Sequence, residues 1–270
     1  MKINSKTKLC MLIGDPIHHS LSPQMHNSGY EALGIDDQYV FVSIQVKPTD
    51  IEDFLKGFKA MQNFHSFTCT VPHKVIVMPY LDAVDPVAQE IGAVNVILKE
   101  GSKLKGYNTD WLGFTCPLEK RGIPLKGKKV ALLGAGGVAR SIAYATSAGG
   151  GELTVYNRTP EKAQALAIEF GGEFGSLDDL TGIAGADIIV NATSVGMHDK
   201  KTLLPKEYLS RDHIIFDVNY PRTHLYQDAD AVGAQVIDGR EMLLYIGIGI
   251  FKYFTGYEGP EAAMRKGLGI

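Results

Sequence analysis

A lysine at the start of a predicted helix is the residue whose position most suggests chemistry. Lys74 lies in the stretch SFTCTVPHK, where an apolar strand ends and Thr70 and Pro72 begin a helix that holds the lysine in its first turn. Because the helix dipole disfavours a cation at that end, a lysine there is unexpected and suits an acid–base catalyst. A carboxylate from a distant segment should accompany it, and Asp110 in GYNTDW is the candidate.

Two further polar segments could bind a substrate. Asn95 in the stretch GAVN could form a hydrogen bond with a substrate hydroxyl. Ser20 and Ser22 precede Pro23, and two hydroxyls beside a helix N-terminus form a suitable receptor for a small carboxylate. The spacing supports equally well a simpler interpretation, in which Ser22 caps the helix and Ser20 is incidental.

Each of these residues, taken singly, has a common structural explanation. A lone lysine is usually exposed, an aspartate before a helix is usually an N-cap, and an asparagine in such a segment usually forms a turn. The shared position of Lys74, Asn95 and Asp110 at strand ends favours chemistry, since ligands of open α/β sheets bind at the carboxyl ends of the strands.

A glycine-rich turn in the middle of the chain has the pattern of a dinucleotide-binding loop. The apolar run at residues 130–133 is followed by GAGGVA, which matches G-x-G-x-x-G/A between a strand and a helix predicted over residues 138–148. The first glycine allows a tight turn, the second lets backbone approach a pyrophosphate, and the small last residue lets the helix pack closely. The residues expected to hold a cofactor here are Gly134, Ala135, Gly136, Gly137 and Val138.

The strand after that helix ends in groups that suit a phosphorylated ribose. NAD-binding folds place an Asp or Glu at this position, against the ribose hydroxyl. This chain has an amide, a guanidinium and a hydroxyl instead, with a lysine one turn on, and these groups would accept the 2′-phosphate of NADP. They belong to Asn157, Arg158, Thr159 and Lys162. The alternative is an ordinary strand end with a solvated arginine.

Length, charge and cysteine content limit the class of protein. A chain of 270 residues can form one large domain or two modest ones, and a formal charge of −3 gives no basic surface for nucleic acid or anionic membrane. The three cysteines are widely separated, so neither a disulfide framework nor a thiolate metal site is expected, and a reducing cytoplasm fits best. His18, His19 and His26 lack the accompanying ligands of a metal site, so we expect no metal.

Alternating strand-like and helical segments predict an α/β protein of two domains. Strand-like runs lie at residues 8–13, 39–46, 66–70 and 93–98, and helical patterns begin at Pro23, Thr49 and Pro72. This alternation predicts a mostly parallel sheet in an N-terminal α/β substrate domain, residues 1–112. Residues 113–239 are expected to form a Rossmann-type NADP-binding domain, and residues 240–270 to form helices that return to the first domain. The alternation at residues 246–250 could also indicate a strand.

In their order along the chain, these segments resemble the shikimate/quinate dehydrogenase family over nearly the whole length. The matching segments are SLSP with MHN, TVPHK, GAVN, NTD, GAGGVA, NRT, NATSVGM, DVNY, and DG with ML. The resemblance implies NADP-dependent reduction of 3-dehydroshikimate to shikimate, with Lys74 and Asp110 as the catalytic pair. The substrate residues that it implies are Ser20, Ser22, Thr70, Asn95 and Tyr220, and it adds Thr193, Val218 and Gly239 to the cofactor site.

Two departures from the family pattern concern the substrate. Thr68 stands where the family usually has asparagine, and Ile246 stands where it usually has a substrate-binding glutamine. A desolvated hydroxyl left unpaired costs about 1 to 3 kcal/mol, so quinate or another ring hydroxy acid is an alternative substrate. The loop at residues 221–223 is also shorter than usual. A non-catalytic NADP-binding regulatory module is the alternative outside enzymes, and Lys74 with Asp110 argues against it.

The expected reaction passes a hydride between the nicotinamide ring and an alcohol or ketone carbon. Lys74 would pass a proton to or from the oxygen, while Asp110 orients the lysine. The expected ligand is a small ring hydroxy acid in a cleft between the two domains. No nucleic-acid or membrane partner is expected, and the assembly is expected to be a monomer or homodimer.

Overall fold

The chain divides into two compact units. A computed structural model describes residues 2–197, 201–220 and 222–270. The first unit comprises the residues up to Leu112 together with Leu243–Ile270, and the second comprises Gly113–Met242. Within the described residues, every helix is too short or too polar to span a bilayer.

The first unit contains a six-stranded mixed sheet. Its strands are β1 (Lys8–Gly14), β2 (Tyr39–Gln45), β3 (Phe64–Cys69), β4 (Ala83–Val84), β5 (Val96–Glu100) and β6 (Lys103–Tyr107), in the order β2-β1-β3-β5-β6-β4. The pairs β1–β2, β1–β3 and β4–β6 are parallel, whereas β5 is antiparallel to both of its neighbours. The antiparallel pairing follows from a tight turn at Gly101, whose φ of +63° lets β5 and β6 form a hairpin.

The helices of the first unit follow the predicted alternation with strands. They are α1 (Ser22–Ala32), α2 (Ile51–Ala60), α3 (His73–Ile76) and α4 (Pro86–Ile91), and α5 (Asp110–Glu119) begins in this unit and continues into the second. The interpretation in which the Ser22 side chain caps α1 is wrong, because the helix begins at Ser22 itself and its N-cap residue, Leu21, makes no side-chain cap bond. The Ser22 amide instead donates to Ser20 Oγ at 3.2 Å.

The core of the first unit forms where α2 covers the sheet. Ile51, Leu55 and Phe58 are the buried residues of α2, and their spacing of four and three places them on one helical face. The Phe58 ring meets Phe67 of β3 edge-on, with ring centroids 4.9 Å apart. This apolar packing holds β3, which leads directly to the predicted catalytic lysine.

The second unit contains a fully parallel sheet. Its strands are β7 (Lys129–Leu133), β8 (Glu152–Asn157), β9 (Glu173–Ser176), β10 (Ile188–Asn191), β11 (Ile214–Asp217) and β12 (Gln235–Ile237), in the order β12-β11-β10-β7-β8-β9. The helices within this unit are α6 (Gly137–Ala148), α7 (Pro160–Phe170) and α8 (His224–Ala231). This is the Rossmann strand order, and the direction of winding reverses between β7 and β10, where such folds bind dinucleotides. The predicted fold class is confirmed.

The C-terminal helices return to the first unit, as predicted. They are α9 (Gly239–Thr255) and α10 (Glu261–Leu268), so residues 246–250 are helical and the strand alternative is wrong. A Cβ at Gly247 would collide with Met25 of α1, and a Cβ at Gly267 would lie 2.8 Å from the Gln24 carbonyl oxygen. These glycines therefore let α9 and α10 lie close against α1. Pro221, in the loop that is shorter than usual, lies outside the described residues.

Candidate active site

Several of the predicted substrate and catalytic residues lie at one edge of the sheet in the first unit. The parallel strands β1 and β3 end there, and β3 leads into α3 with Lys74. Because β5 runs opposite to β3 and pairs Val96 with Thr68, Asn95 reaches the same edge from the amino end of its strand. Strand β6 then returns, so Asp110 follows its carboxyl end. Asn95 therefore precedes a strand, a placement that depends on the unpredicted hairpin.

A buried ion pair joins the two predicted catalytic residues. Lys74 Nζ donates to Asp110 Oδ2 at 2.5 Å. Lys74 is only 7% exposed and Asp110 is 0% exposed, so both charges have lost most of their hydration. Removing charges from water is costly, and such a pair persists only when its members neutralise each other in good geometry. The arrangement places a proton-carrying group beside a fixed negative charge.

Asn95 holds the other oxygen of the carboxylate. Its Nδ2 donates to Asp110 Oδ1 at 2.9 Å and to Thr109 Oγ1 at 3.0 Å, and its Oδ1 accepts from the Thr109 amide at 2.8 Å. Both amide hydrogens are therefore engaged within the protein. In this structure Asn95 orients Asp110, and a bond to a substrate hydroxyl would have to use another lone pair or replace one of these bonds.

Two residues that the sequence reasoning missed complete this corner. Asn108 Oδ1 accepts from the Asp110 amide at 2.8 Å, and Asn108 Nδ2 donates to the Ala93 carbonyl at 2.9 Å. Thr109 Oγ1 lies 3.3 Å from the carbonyl oxygen of Ile246 in α9, to which it can donate. The sequence signal for Asn108 and Thr109 is that they form, with Asp110, a run of three polar residues at the start of a helix.

The side chains of Thr68 and Cys69, just before the turn into α3, form hydrogen bonds with backbone carbonyls. The Thr68 hydroxyl, at the position where the family usually has asparagine, is buried and donates to the Asn95 carbonyl. The Cys69 thiol donates to the Val94 carbonyl at 3.2 Å. Burial raises the pKa of Cys69 to about 12, although the positive charge of Lys74 opposes the shift. Cys69 therefore stays a thiol at neutral pH and is no nucleophile.

The remaining predicted substrate residues of this unit lie on neighbouring segments. A Cβ at Gly14 would lie 2.6 Å from Thr70 Cγ2, so the ends of β1 and β3 can approach this closely only with glycine there. Among the described residues, no hydrogen bond links the hydroxyls of Ser20, Ser22 or Thr70 to the Lys74 pair. Their part in substrate binding stays a prediction.

The glycine loop of the second unit has the geometry that a pyrophosphate requires. Gly134 has a φ of +114°, and a Cβ there would lie 2.8 Å from the Ala192 carbonyl oxygen, so only glycine fits. Beyond its chain neighbours, no described residue comes within 4 Å of the position that a Cβ would take at Gly136, so the backbone there faces open space. Helix α6 begins at Gly137, one residue before its predicted start, and Ala139 packs fully buried. These features fit a dinucleotide.

The end of β8 and the first turn of α7 present two exposed cations. Arg158 and Lys162 are exposed, and in the described part of the chain neither takes part in an ion pair. Asn157 Nδ2 donates to the Thr159 carbonyl at 3.0 Å and so closes the turn between β8 and α7. Two unpaired cations beside a tight turn fit a 2′-phosphate.

The other predicted cofactor residues follow β10, β11 and β12. Asn219 Nδ2 donates to the Thr193 carbonyl at 2.9 Å, which joins the first two turns. A Cβ at Gly239 would lie 2.5 Å from the Val218 carbonyl oxygen, so α9 begins directly against the turn after β11. Burial raises the pKa of Tyr220 to about 12, so its hydroxyl stays protonated at neutral pH. The structure thus gathers these positions at one edge of the parallel sheet.

Family models match both parts of the chain. Residues 12–97 match the shikimate dehydrogenase substrate binding domain, and residues 118–238 match the shikimate / quinate 5-dehydrogenase model. A shikimate dehydrogenase (NADP(+)) from Moorella thermoacetica is 41% identical over 280 residues, which cover 98% of this chain and 94% of the relative.

Solved structures agree in fold over the full length. The crystal structure of shikimate dehydrogenase from Aquifex aeolicus has a TM-score of 0.92 at 36% identity, and the match covers 98% of each chain. Shikimate 5-dehydrogenase from Thermus thermophilus, in complex with NADP(H) and shikimate, has a TM-score of 0.88 at 35% identity and is matched over 97% of this chain and 98% of that one. The chain therefore belongs to the shikimate/quinate dehydrogenase family.

Proposed function

We propose that this protein is an NADP-dependent shikimate dehydrogenase, which reversibly reduces 3-dehydroshikimate to shikimate. The observation that carries the proposal is the buried pair of Lys74 and Asp110, 2.5 Å apart. A lysine fixed beside a carboxylate at the edge of a sheet is equipped to move a proton. The relative from Moorella thermoacetica carries this activity in its name, and the relative from Thermus thermophilus is in complex with both ligands.

The proposed division of labour follows the predicted domains. Residues 1–112 would bind the substrate, residues 113–239 would bind NADP, and residues 240–270 would support the first domain. The proposed substrate contacts are Ser20, Ser22, Thr70, Asn95 and Tyr220. The proposed cofactor contacts are Gly134, Ala135, Gly136, Gly137, Val138, Asn157, Arg158, Thr159, Lys162, Thr193, Val218 and Gly239.

Lys74 would transfer the proton. During reduction the carbonyl oxygen of the substrate gains negative charge, and an ammonium within reach of that oxygen stabilises the charge and donates a proton to it. During oxidation the neutral amine would take the proton back from the alcohol. Bound NADP supplies or accepts the hydride.

Asp110 would keep the ammonium in place. Its Oδ2 accepts from Lys74, and its Oδ1 is held by Asn95 at 2.9 Å, so the carboxylate has little freedom to rotate. The lysine is therefore pre-organised, and the reaction does not have to order it. A remaining lone pair of the carboxylate can accept from a neighbouring substrate hydroxyl.

Absorbance at 340 nm provides the direct test. With shikimate and NADP⁺ the purified protein should form NADPH, with a higher kcat/KM than with NAD⁺. If no ring hydroxy acid produces a change in absorbance although NADP⁺ binds, the protein is the non-catalytic NADP-binding module and the proposal is wrong.

Quinate is the second candidate substrate, because Ile246 lacks the hydrogen-bonding side chain that the family usually has there. The matched family model also covers both activities by its description. Turnover of quinate should be measured beside shikimate with each cofactor. A higher kcat/KM for quinate would change the substrate assignment and leave the roles of Lys74 and Asp110 unchanged.

The last two parts of the proposal concern the cellular compartment and the oligomeric state. Cys10 and Cys69 are buried and form no disulfide with any described residue, which supports the expected reducing cytoplasm. We propose a monomer or a homodimer, and analytical ultracentrifugation at several protein concentrations would distinguish the two.

A further inference from the structure

A second buried carboxylate lies at the end of β11, within the second unit. Asp217 is 1% exposed. Its Oδ1 accepts from Asn191 Nδ2 at 3.1 Å and from both the amide and Nδ2 of Asn219 at 3.2 Å, and its Oδ2 accepts from Thr223 Oγ1. No lysine or arginine in the described part of the chain pairs with Asp217. Among the described residues, its hydrogen-bond donors are therefore neutral.

The donors to Asp217 come from separate segments. Asn191 ends β10, Asn219 follows β11, and Thr223 is the N-cap of α8, where its hydroxyl also accepts from the Tyr226 amide. Only a carboxylate offers two oxygens, with about four lone-pair sites, to receive these bonds at once. We refer to Asn191, Asp217, Asn219 and Thr223 as the Asp217 network.

The network reaches the turn after β10 from two sides. Asn191 Oδ1 accepts from the Thr193 amide at 3.2 Å and from Thr193 Oγ1 at 2.8 Å. Asn219 Nδ2 donates to the Thr193 carbonyl at 2.9 Å and lies 3.4 Å from the Val195 carbonyl. A Cβ at Gly196, where φ is +85°, would lie 3.1 Å from Thr223 Cβ. The turns after β10 and β11 are thus packed and bonded as one piece.

The same network contacts the start of α9. A Cβ at Gly239 would lie 2.5 Å from the carbonyl oxygens of both Val218 and Asn219. Burial raises the pKa of Asp217, and the hydrogen bonds from Thr223, Asn219 and Asn191 oppose the shift, so the charge is held by this set of donors. The turns that carry Thr193, Val218 and Gly239 are therefore fixed relative to one another.

We propose that Asp217 and Asn219 are positioning residues for the nicotinamide end of NADP. The inference rests on the proposed function, in which Thr193, Val218 and Gly239 contact the cofactor. Hydride transfer depends steeply on placement, and an error of about 1 Å can reduce the rate about 100-fold. A rigid set of turns would hold the ring without any network side chain having to touch it.

The test separates the two ends of the cofactor. Asn219→Ala removes the bonds from the Asn219 side chain to Asp217 and to the Thr193 carbonyl, and leaves the glycine loop and Arg158 intact. We expect kcat to fall about 100-fold, because the nicotinamide ring is misplaced. Adenosine 2′,5′-bisphosphate, which lacks the nicotinamide, should bind with a dissociation constant changed by less than about twofold in calorimetry, because independent sites contribute nearly additively.

A matched control lies in the first unit. Asn27 also bonds backbone through its amide, with Nδ2 donating to the Phe41 carbonyl and Oδ1 accepting from the Phe41 amide, each at 2.9 Å. Asn27→Ala should lower the melting temperature without the 100-fold loss of kcat. Asn219→Ser, whose hydroxyl is too short to replace both carbonyl contacts, repeats the test if the alanine variant does not fold.

Full kcat in the folded Asn219 variant would overturn the inference. A loss of adenosine bisphosphate binding in parallel with kcat would also overturn it, since the defect would then not be confined to the nicotinamide end. Wild-type protein without NADP-linked turnover would instead contradict the proposed function, and the two failures are therefore distinguishable.

Discussion

The two units each bury a carboxylate but compensate its charge differently. Asp110 in the first unit receives a bond from the ammonium of Lys74, whereas the described residues that donate to Asp217 in the second unit are neutral amides and a hydroxyl. A partner that can lose a proton suits the first carboxylate to the proton transfer proposed for this site. Neutral amides and hydroxyls keep their protons at neutral pH, so the bonds to the second carboxylate are suited to holding backbone segments in place.

The largest expected effect is a loss of kcat when Lys74, the cation paired with Asp110, is replaced. Lys74→Ala removes the proton donor and leaves Asp110 buried without its cation, so kcat should fall about 10³-fold or more. NADP affinity should change little, because the residues proposed to hold the cofactor belong to the second unit. Steady-state kinetics and calorimetry measure the two quantities.

A control for this variant is Lys59→Ala. Lys59 is also paired with an aspartate in the first unit, Asp82, at 3.1 Å, but the pair is solvent-accessible. Its removal should leave kcat unchanged, since exposed pairs contribute only about 0 to 1 kcal/mol to stability. Near-normal turnover of Lys74→Ala would remove the lysine from the mechanism.

The next largest expected effect is on stability, when a donor of the Asp217 network is removed. Thr223→Val keeps the side-chain volume but removes the donor to Asp217 and the cap of α8, so the free energy of unfolding should fall by about 2 to 3 kcal/mol. Thr223→Ser keeps the hydroxyl and should lose much less. Urea denaturation measures both variants. A larger loss in Thr223→Ser than in Thr223→Val would show that packing of the methyl group near Gly196, rather than the hydrogen bonds, is what matters.

A third buried ionisable group has neither kind of compensation. His26 is fully buried and stacks on Phe41 with ring centroids 4.3 Å apart, and its ring nitrogens have no hydrogen-bond partner among the described residues. Burial lowers the pKa of His26 from 6.5 to about 3. The unfolded chain therefore takes up a proton that the folded chain refuses, and stability should fall as the pH drops from about 6.5 toward 3.

Removing this histidine should remove its share of the acid sensitivity. At pH 5, His26 should cost about 2 kcal/mol relative to neutral pH, and His26→Phe should abolish that difference in urea titrations. The half-buried His65 donates from Nε2 to the Phe254 carbonyl, which opposes the lowering of its pKa, so His65→Phe should have a smaller effect. An unchanged pH profile of the His26→Phe variant would contradict the interpretation.

The smallest expected effect is on the KM for NADP when the exposed Arg158 is replaced. Arg158→Ala should raise the KM for NADP about tenfold through loss of a charge-assisted hydrogen bond, and the KM for NAD should change much less. Arg211→Ala removes another exposed arginine of the same unit and should change neither value. Equal losses for both cofactors in Arg158→Ala would rule out a bond to the 2′-phosphate.

Much of the fold could be predicted because it depends on neighbours in sequence. The strand, glycine turn and helix around Gly134 follow from an apolar run, a required positive φ and a small packing residue, all within about one βαβ unit. A lysine at the start of a helix predicts a carboxylate partner from a distant segment. The structure places Asp110 in contact with Lys74.

The rest could not be predicted because it depends on which distant segments meet. Asn95 donates to Asp110, 15 residues later in the chain, because the β5–β6 hairpin brings the two residues together. The Asp217 network joins Asn191 to Asp217 across 26 residues, and nothing in the local pattern of either segment indicates the other.

The amino-acid sequence by itself determined the α/β class, a glycine loop that suits a dinucleotide and the types of candidate catalytic group, since these depend on local geometry and on the chemistry of single side chains. Only the tertiary structure decided the direction of β5, the engagement of Asn95 and Thr68, and the neutral surroundings of Asp217. Hydrogen bonds between side chains require contact within about 3 Å, and chain folding alone determines which residues come that close.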